Sequence, residues 1–312
     1  SKTAFCKHRR SLNLLCKFKE KAVPVCHENA DFALFYSEKG IFMSHKIGIT
    51  ACSNPMHPSF SADLARLCQI LRELGFDPVL SPCLYDNGSG FSGTGAERAD
   101  ALMNLYCDPE ITDIFDVSGG DMANEVLPYL DFSVIAAPAS ASGDTVIHEI
   151  VNAVTTATGN ESMLYQVRNL LYDHSAEQIT LFQNAFSGQS PSLFDLPCTF
   201  LQGDHMEGVM IGGNIRCFLK LAGTDFQPDF RRKILLLEAM GGGVPQMVTF
   251  LSQLKMMHAF EQINGILLGT FSQMERDQLT PDMPQLVRQA AGPDLPIAKT
   301  PYIGHGTDAH AA

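Results

Sequence analysis

The sequence has no Cys-x-x-Cys pair, no P-loop, no dinucleotide fingerprint read directly after a strand, and no apolar run near the roughly 18 residues of a membrane-spanning helix. Each absence removes a class of function. Without close ligand pairs a zinc ribbon is not expected. The nine cysteines, Cys6, Cys16, Cys26, Cys52, Cys68, Cys83, Cys107, Cys198 and Cys217, stand singly and read as reduced, mostly buried thiols. The ten-residue spacing of Cys6, Cys16 and Cys26, beside His8 and His27, is not the spacing of a zinc site, so no metal and no other cofactor is expected. Positive charge is also scarce: 22 Lys and Arg against 34 Asp and Glu give a formal net charge of -12. Such a surface repels phosphate backbones and anionic bilayers, which excludes a nucleic acid polymer or a membrane as partner and suits a small, peptide-like substrate. Leu12-Asn13-Leu14-Leu15 sits among lysines and arginines and does not make the apolar stretch of a signal peptide, so a cytoplasmic protein is expected.

What is present is enough for two cores: 312 residues, 45% of them hydrophobic. Residues 1–42 are locally basic without sustained periodicity, and read as an N-terminal extension that is disordered or not native to the working protein. From there the pattern predicts a strand over 46–52, a helix over 59–75, a strand over 77–81, a helix over 95–107 and a strand over 111–117. Alternating strands and helices imply a parallel sheet covered on both faces, here in an N-terminal domain over 43–172 closed by a helix near 144–158. The polar stretch 173–200 reads as a linker. A C-terminal domain over 201–312 follows, with strands around 208–213, 234–238 and 265–270 and a helix over 245–259.

Ligands of such sheets bind beyond the carboxyl ends of the strands. Three features stand at those ends. Ser118-Gly119-Gly120-Asp121 follows the third strand and could present backbone N–H groups to an anion, or be a tight turn and no more. Glu238 ends the apolar run Ile234-Leu235-Leu236-Leu237; a carboxylate there needs a partner, a task or a solvated strand end. His305, between Gly304 and Gly306, has little cover and an ordinary pKa suited to proton transfer near neutrality, or is simply an exposed loop residue. His258 and His310 read as surface or packing residues.

Taken in order, these segments resemble the LD-carboxypeptidase family of serine peptidases, which includes the microcin C immunity peptidases. The pieces are Lys46-Ile47-Gly48-Ile49 with Ser53 and Pro55, Leu74-Gly75-Phe76, Glu97-Arg98-Ala99-Asp100 with Leu102, and Gly119-Gly120. They continue with Leu127-Pro128-Tyr129-Leu130-Asp131, Gly212-Gly213-Asn214, Leu237-Glu238, Gly269-Thr270-Phe271 and Gly304-His305-Gly306. The resemblance implies an α/β fold: a Rossmann-like or amidotransferase-like parallel-sheet domain, then a smaller α/β domain with a barrel-like sheet. It also implies a metal-free Ser-His-Glu triad with Glu238 as carboxylate and His305 as base, an oxyanion site at Gly119 and Gly120, and paired chains in a homodimer.

The sequence departs from that family at the nucleophile, where Gly-Tyr-Ser-Asp is missing. An ungapped register from Asn152-Ala153-Val154 and Thr158-Gly159 sets Thr145 on the nucleophile and Val146 on the following oxyanion N–H. A register moved by three sets Ser142 there instead. Both alternatives stay open. The expectation is a hydrolase that cleaves an amide bond through an acyl-enzyme, on a murein-derived L,D-peptide or a microcin-type peptidyl-nucleotide. The alternative is an inactive relative that binds peptides, and a third reading is an unrelated amidotransferase-like or nucleotide-binding α/β protein. Arg168, Arg216 and Lys220 are the basic residues expected to meet a carboxylate end.

Overall fold

The computed structural model describes residues 16–19, 45–136, 142–143, 148–160, 162–187 and 189–312. The expected extension contributes one described element, β1 (Cys16–Lys19). The first domain then runs β2 (His45–Thr50), α1 (Ser61–Glu73), β3 (Phe76–Leu80), α2 (Gly95–Cys107), β4 (Ile111–Asp116), α3 (Phe132–Ile135), β5 (Ser142–Gly143) and α4 (His148–Thr158). Its sheet has the order β3-β2-β4-β5, and all three pairings are parallel.

Local chemistry accounts for these bounds. Leu64, Leu67, Cys68 and Leu71 fall on one face of α1 and are buried, and Gly75 follows the helix end at φ +93°, a conformation that strains any residue with a Cβ. Thr94 caps α2 and exchanges hydrogen bonds with Glu97 in a capping box. Pro78 is tolerated because β3 is an edge strand. The helix-like segment after Gly120 instead forms two 3-10 turns, Ala123–Glu125 and Leu127–Tyr129, with Pro128 at the start of the second removing a donor.

Within the expected linker the chain is helical: α5 (Ser175–Phe186) packs onto the first domain's core. Polar residues masked it in sequence. Phe182 and Ala185 are buried and Phe186 partly so, and the Phe182 and Phe186 rings stack at 4.3 Å and meet Phe76 and Phe115.

The remaining elements are β6 (Thr199–Gln202), β7 (His205–Asn214), α6 (Ile215–Leu219), β8 (Lys233–Ala239), α7 (Val244–Met256), β9 (Gly265–Phe271), α8 (Ser272–Arg276), α9 (Met283–Ala291) and β10 (Ile297–Lys299). The second sheet has the order β1-β7-β8-β9-β10-β6; its four central strands are parallel and both edge strands antiparallel. β8 and β9, buried on both faces, read as unbroken apolar runs for that reason. Leu235, Leu237, Ile266 and Leu268 pack with Met247 and Leu251 of α7 and Leu286 and Val287 of α9; Ile234, Leu236 and Leu267 face the opposite way, toward Leu196 and Ile303. No described helix is long and apolar enough to cross a membrane.

The exclusion of a dinucleotide fingerprint rests on position and not on letters. Gly88-Ser89-Gly90-Phe91-Ser92-Gly93 carries the letters of a dinucleotide fingerprint, but it begins well past the end of β3. Asp86 Oδ1 accepts from the N–H groups of Gly88 (2.8 Å) and Gly90 (2.9 Å). The loop's own carboxylate occupies donors that a bound pyrophosphate would need.

Candidate active site

The end of β8 and the loop after β10 make the centre of the site. Glu238 is buried (1% exposed) opposite Asn214 in the register of β7. The chain after β10 returns over β9, where Thr270 N–H donates to the Ile303 carbonyl at 2.8 Å. Gly304 then takes φ +138°, and a Cβ there would lie 2.0 Å from Thr270 Oγ1. Only glycine lets the loop approach β9 this closely, and that approach delivers His305 to Glu238: Nδ1 and Oε2 are 2.8 Å apart.

This contact sets the tautomer. With Nδ1 donating its proton to the carboxylate, Nε2 is the free basic nitrogen, and it has no hydrogen-bond partner among the described residues. Burial acts to lower the pKa of His305, but the hydrogen bond to Glu238 and its negative charge outweigh burial, and the pKa is raised above the ordinary value; the positive charge of Arg168 opposes the rise. A cavity of about 50 Å³ opens here, lined by Glu238, His305, Gln166, Tyr165, Leu164 and His310 among others.

At the carboxyl edge of the first sheet, the glycine loop is held by Asn54. Asn54 N–H donates to the Gly119 carbonyl (3.1 Å), and Asn54 Oδ1 accepts from the Asp121 N–H (3.0 Å). Gly120 has φ +117°, and a Cβ on it would fall 2.1 Å from Asn54 Cγ. Beneath the loop lies Asp116, fully buried, which accepts from Cys52 N–H (2.7 Å), Ser118 N–H (2.6 Å) and Ser118 Oγ (2.6 Å). Burial raises its pKa, against the lowering effect of the hydrogen bonds from Ser118 and Cys52. Buried Arg98 donates to the Cys52 carbonyl and pairs with Glu125. The hydroxyls here are engaged: Ser118 Oγ also accepts from Ser53 N–H, and Ser53 Oγ accepts from Met122 N–H, each at 3.0 Å.

Side-chain ties join the halves. Asn152 of α4 hydrogen-bonds both the carbonyl and the N–H of Gly212, and Lys220 after α6 pairs with buried Glu149 (2.8 Å) and with Asp121 (3.1 Å). Arg216 also pairs with Asp121, at 3.0 Å. Arg98 and Asn152 entered the sequence reading only through the family resemblance, and no chemical role was given there to them or to Asn54, Asp116 and Glu149. The argument applied to Glu238, a carboxylate at the end of an apolar strand, also singles out Asp116; the others become recognisable only through partners distant in sequence.

The sequence-predicted residues therefore divide. Glu238 and His305 meet. Gly119 and Gly120 form a constrained loop on the edge of the first sheet. Ser142 is described by its backbone, in β5 beside Asp113 of β4, while Thr145 and Val146 lie outside the described residues. His258 is exposed, and His310 packs on Tyr302 with Nδ1 2.7 Å from the Asp195 carbonyl oxygen.

The family comparison joins both halves of this arrangement. The sequence model of the LD-carboxypeptidase N-terminal domain matches residues 47–164, and that of the LD-carboxypeptidase C-terminal domain matches residues 207–312. The chain belongs to the LD-carboxypeptidase family. Membership makes it a relative of peptide-bond hydrolases. This LD-carboxypeptidase family chain is 28% identical over 248 residues to the probable murein peptide carboxypeptidase of Bacillus subtilis, covering 77% of the chain and 76% of the relative. It is 24% identical over 257 residues to the microcin C7 self-immunity protein MccF of Escherichia coli, covering 72% and 74%. Its fold matches MccF in complex with glutamyl sulfamoyl guanosine with a TM-score of 0.74 at 20% identity, over 86% of this chain and 90% of that one. A muramoyltetrapeptide carboxypeptidase from Oxalobacter formigenes shares the fold with a TM-score of 0.68 at 19% identity, over 85% and 91%.

Proposed function

We propose that the chain is a serine-type hydrolase that cleaves an amide bond in a murein-derived L,D-peptide, with a microcin-type peptidyl-nucleotide as the second candidate substrate. The observation that carries this reading is the 2.8 Å contact between His305 Nδ1 and Glu238 Oε2, which holds the imidazole with Nε2 available as a base. Nε2 takes the proton of a hydroxyl, the hydroxyl oxygen adds to the scissile carbonyl, and backbone N–H groups at Gly120 and after the nucleophile stabilise the oxyanion. The tetrahedral intermediate then expels the amine, which receives the proton from His305, and water hydrolyses the ester with His305 again as base. Glu238 orients the ring and balances the imidazolium charge.

The hydroxyl is assigned to Ser142, the first residue of β5, or to Thr145, which follows β5 in the chain. A fluorophosphonate probe followed by peptide mapping is expected to label one of them. His305→Ala abolishes the label, and His258→Ala, on an exposed residue, leaves it. Turnover of the L,D-peptide against the peptidyl-nucleotide then selects the substrate. An unlabelled protein that still binds the peptide is a peptide-binding relative without the nucleophile, which is the competing reading.

A further inference from the structure

A hydrolase that removes a C-terminal residue must recognise a free carboxylate, and mechanism restricts where the receptor can be. His305 returns its proton to the leaving amine. In the leaving residue that nitrogen and the carboxylate carbon are bonded to one Cα, about 2.5 Å apart. The cation that reads the carboxylate therefore belongs within a side chain's reach of the imidazole.

Three basic residues are candidates, and their partners separate them. Lys220 is engaged by Glu149 and Asp121, and Arg216 by Asp121, at the junction of α4, α6 and the glycine loop. Arg168 forms no ion pair among the described residues, and its Nε is buried without a hydrogen-bond partner. Among the described residues its one polar side-chain contact is long, Nη2 to Gln166 Oε1 at 3.5 Å, and Gln166 lines the cavity that holds His305 and Glu238. The next residue, Asn169, donates from Nδ2 to the Gly306 carbonyl at 3.5 Å, which ties the 3-10 turn Val167–Leu171 to the loop bearing His305. Arg168 also lines the neighbouring cavity with Val117, just past the end of β4, so it lies between the edge of the first sheet and the His305 loop.

A guanidinium without an ion pair among the described residues, in an acidic protein and close enough for its charge to act on His305, is a receptor for an anion. Its planar fork of donors matches the two oxygens of a carboxylate. Resting on the hydrolase reading above, we infer that Arg168 binds the free α-carboxylate of the substrate's C-terminal residue and makes the enzyme a carboxypeptidase rather than an internal peptidase.

The test is binding, which does not require turnover. An L,D-peptide ending in free D-alanine and the same peptide ending in D-alaninamide are titrated calorimetrically into the full chain and its variants. The unaltered protein is expected to bind the acid about 10- to 100-fold more tightly than the amide, the range for a hydrogen-bonded charge. Arg168→Gln binds the two alike, with amide affinity showing that the cleft is intact. Arg168→Lys, which keeps the charge but not the fork, retains a reduced preference. Equal affinity of the unaltered protein for acid and amide, including no affinity for either, overturns the assignment. So does an acid preference that survives in Arg168→Gln. An acid preference that depends on Arg168, in a protein that neither turns over nor takes the fluorophosphonate, sinks the hydrolase reading and leaves Arg168 as the carboxylate receptor.

Discussion

Asn152 holds Gly212 by both sides of its peptide environment: Nδ2 donates to the carbonyl at 2.7 Å and Oδ1 accepts the N–H at 2.9 Å. The two residues belong to different domains, Asn152 to α4 and Gly212 to β7, and both groups are buried. α4 follows the segment that carries the nucleophile candidates, and β7 lies beside β8, which carries Glu238 next to its last residue. The side-chain amide thus joins the two halves that a triad would need to bring together.

Asn152→Leu removes both bonds and leaves a buried N–H and C=O unsatisfied. At roughly 1–3 kcal/mol for a buried group left without its partner, the loss is expected to be about 2–4 kcal/mol of stability. Denaturant unfolding measures it. A loss below about 0.5 kcal/mol shows that the tie contributes nothing net.

The Lys220–Glu149 pair is a second tie with a different signature. Burial acts to lower the pKa of Lys220, but the hydrogen bond and charge of Glu149, with smaller contributions from Cys217 and Asp121, together outweigh it and the pKa is raised. Its contribution to stability is therefore fully present below the ordinary lysine pKa and is lost as pH rises through the higher folded value. Lys220→Met leaves Glu149 buried without its partner and is expected to cost about 3–5 kcal/mol, part of which Glu149→Gln restores in the double variant. A double-mutant cycle with zero coupling energy rules the pair out as a stabilising contact.

For hydrolysis, His305 must be neutral to accept a proton. Because its folded pKa is raised, kcat/KM is expected to rise with pH through a midpoint above that of an ordinary histidine. Glu238→Gln removes the charge that raises the pKa and moves this acid limb to lower pH, with a large fall in the plateau. A pH–rate profile whose acid limb stays in place in Glu238→Gln assigns the limb to another group.

Gly304→Ala tests the approach of the loop to β9. A Cβ at φ +138° is strained, and it would meet Thr270 Oγ1 at 2.0 Å. The variant is expected to lose more than about 1 kcal/mol of stability and to show weakened probe labelling as His305 moves from Glu238. Unchanged unfolding and unchanged labelling together contradict the role given to this glycine.

How much of this was legible in advance depended on locality. The periodicity of 95–107 predicted α2 to its ends because Thr94 and Glu97 cap it through contacts three residues apart. The apolar run before Glu238 announced a buried parallel strand, since both of its faces are covered. α5 was missed because its buried face is narrow and its meaning depends on the rings of Phe76 and Phe115, distant in sequence. Arg168, Arg216 and Lys220 were equivalent as basic residues; only their partners distinguished them.

The sequence by itself determined the alternating α/β order, the two apolar cores, the family, and the presence of a carboxylate and a histidine at chain positions suited to a site. It could do so because helix periodicity, strand burial and turn chemistry are local properties of the chain. The tertiary structure decided what no local pattern encodes: that Glu238 and His305, 67 residues apart, share a hydrogen bond. It also decided that Gly304 must be glycine to allow that contact, and that of three basic candidates Arg168 alone forms no ion pair among the described residues. Those facts depend on contacts across sheets and domains, where distance in space is independent of distance along the chain.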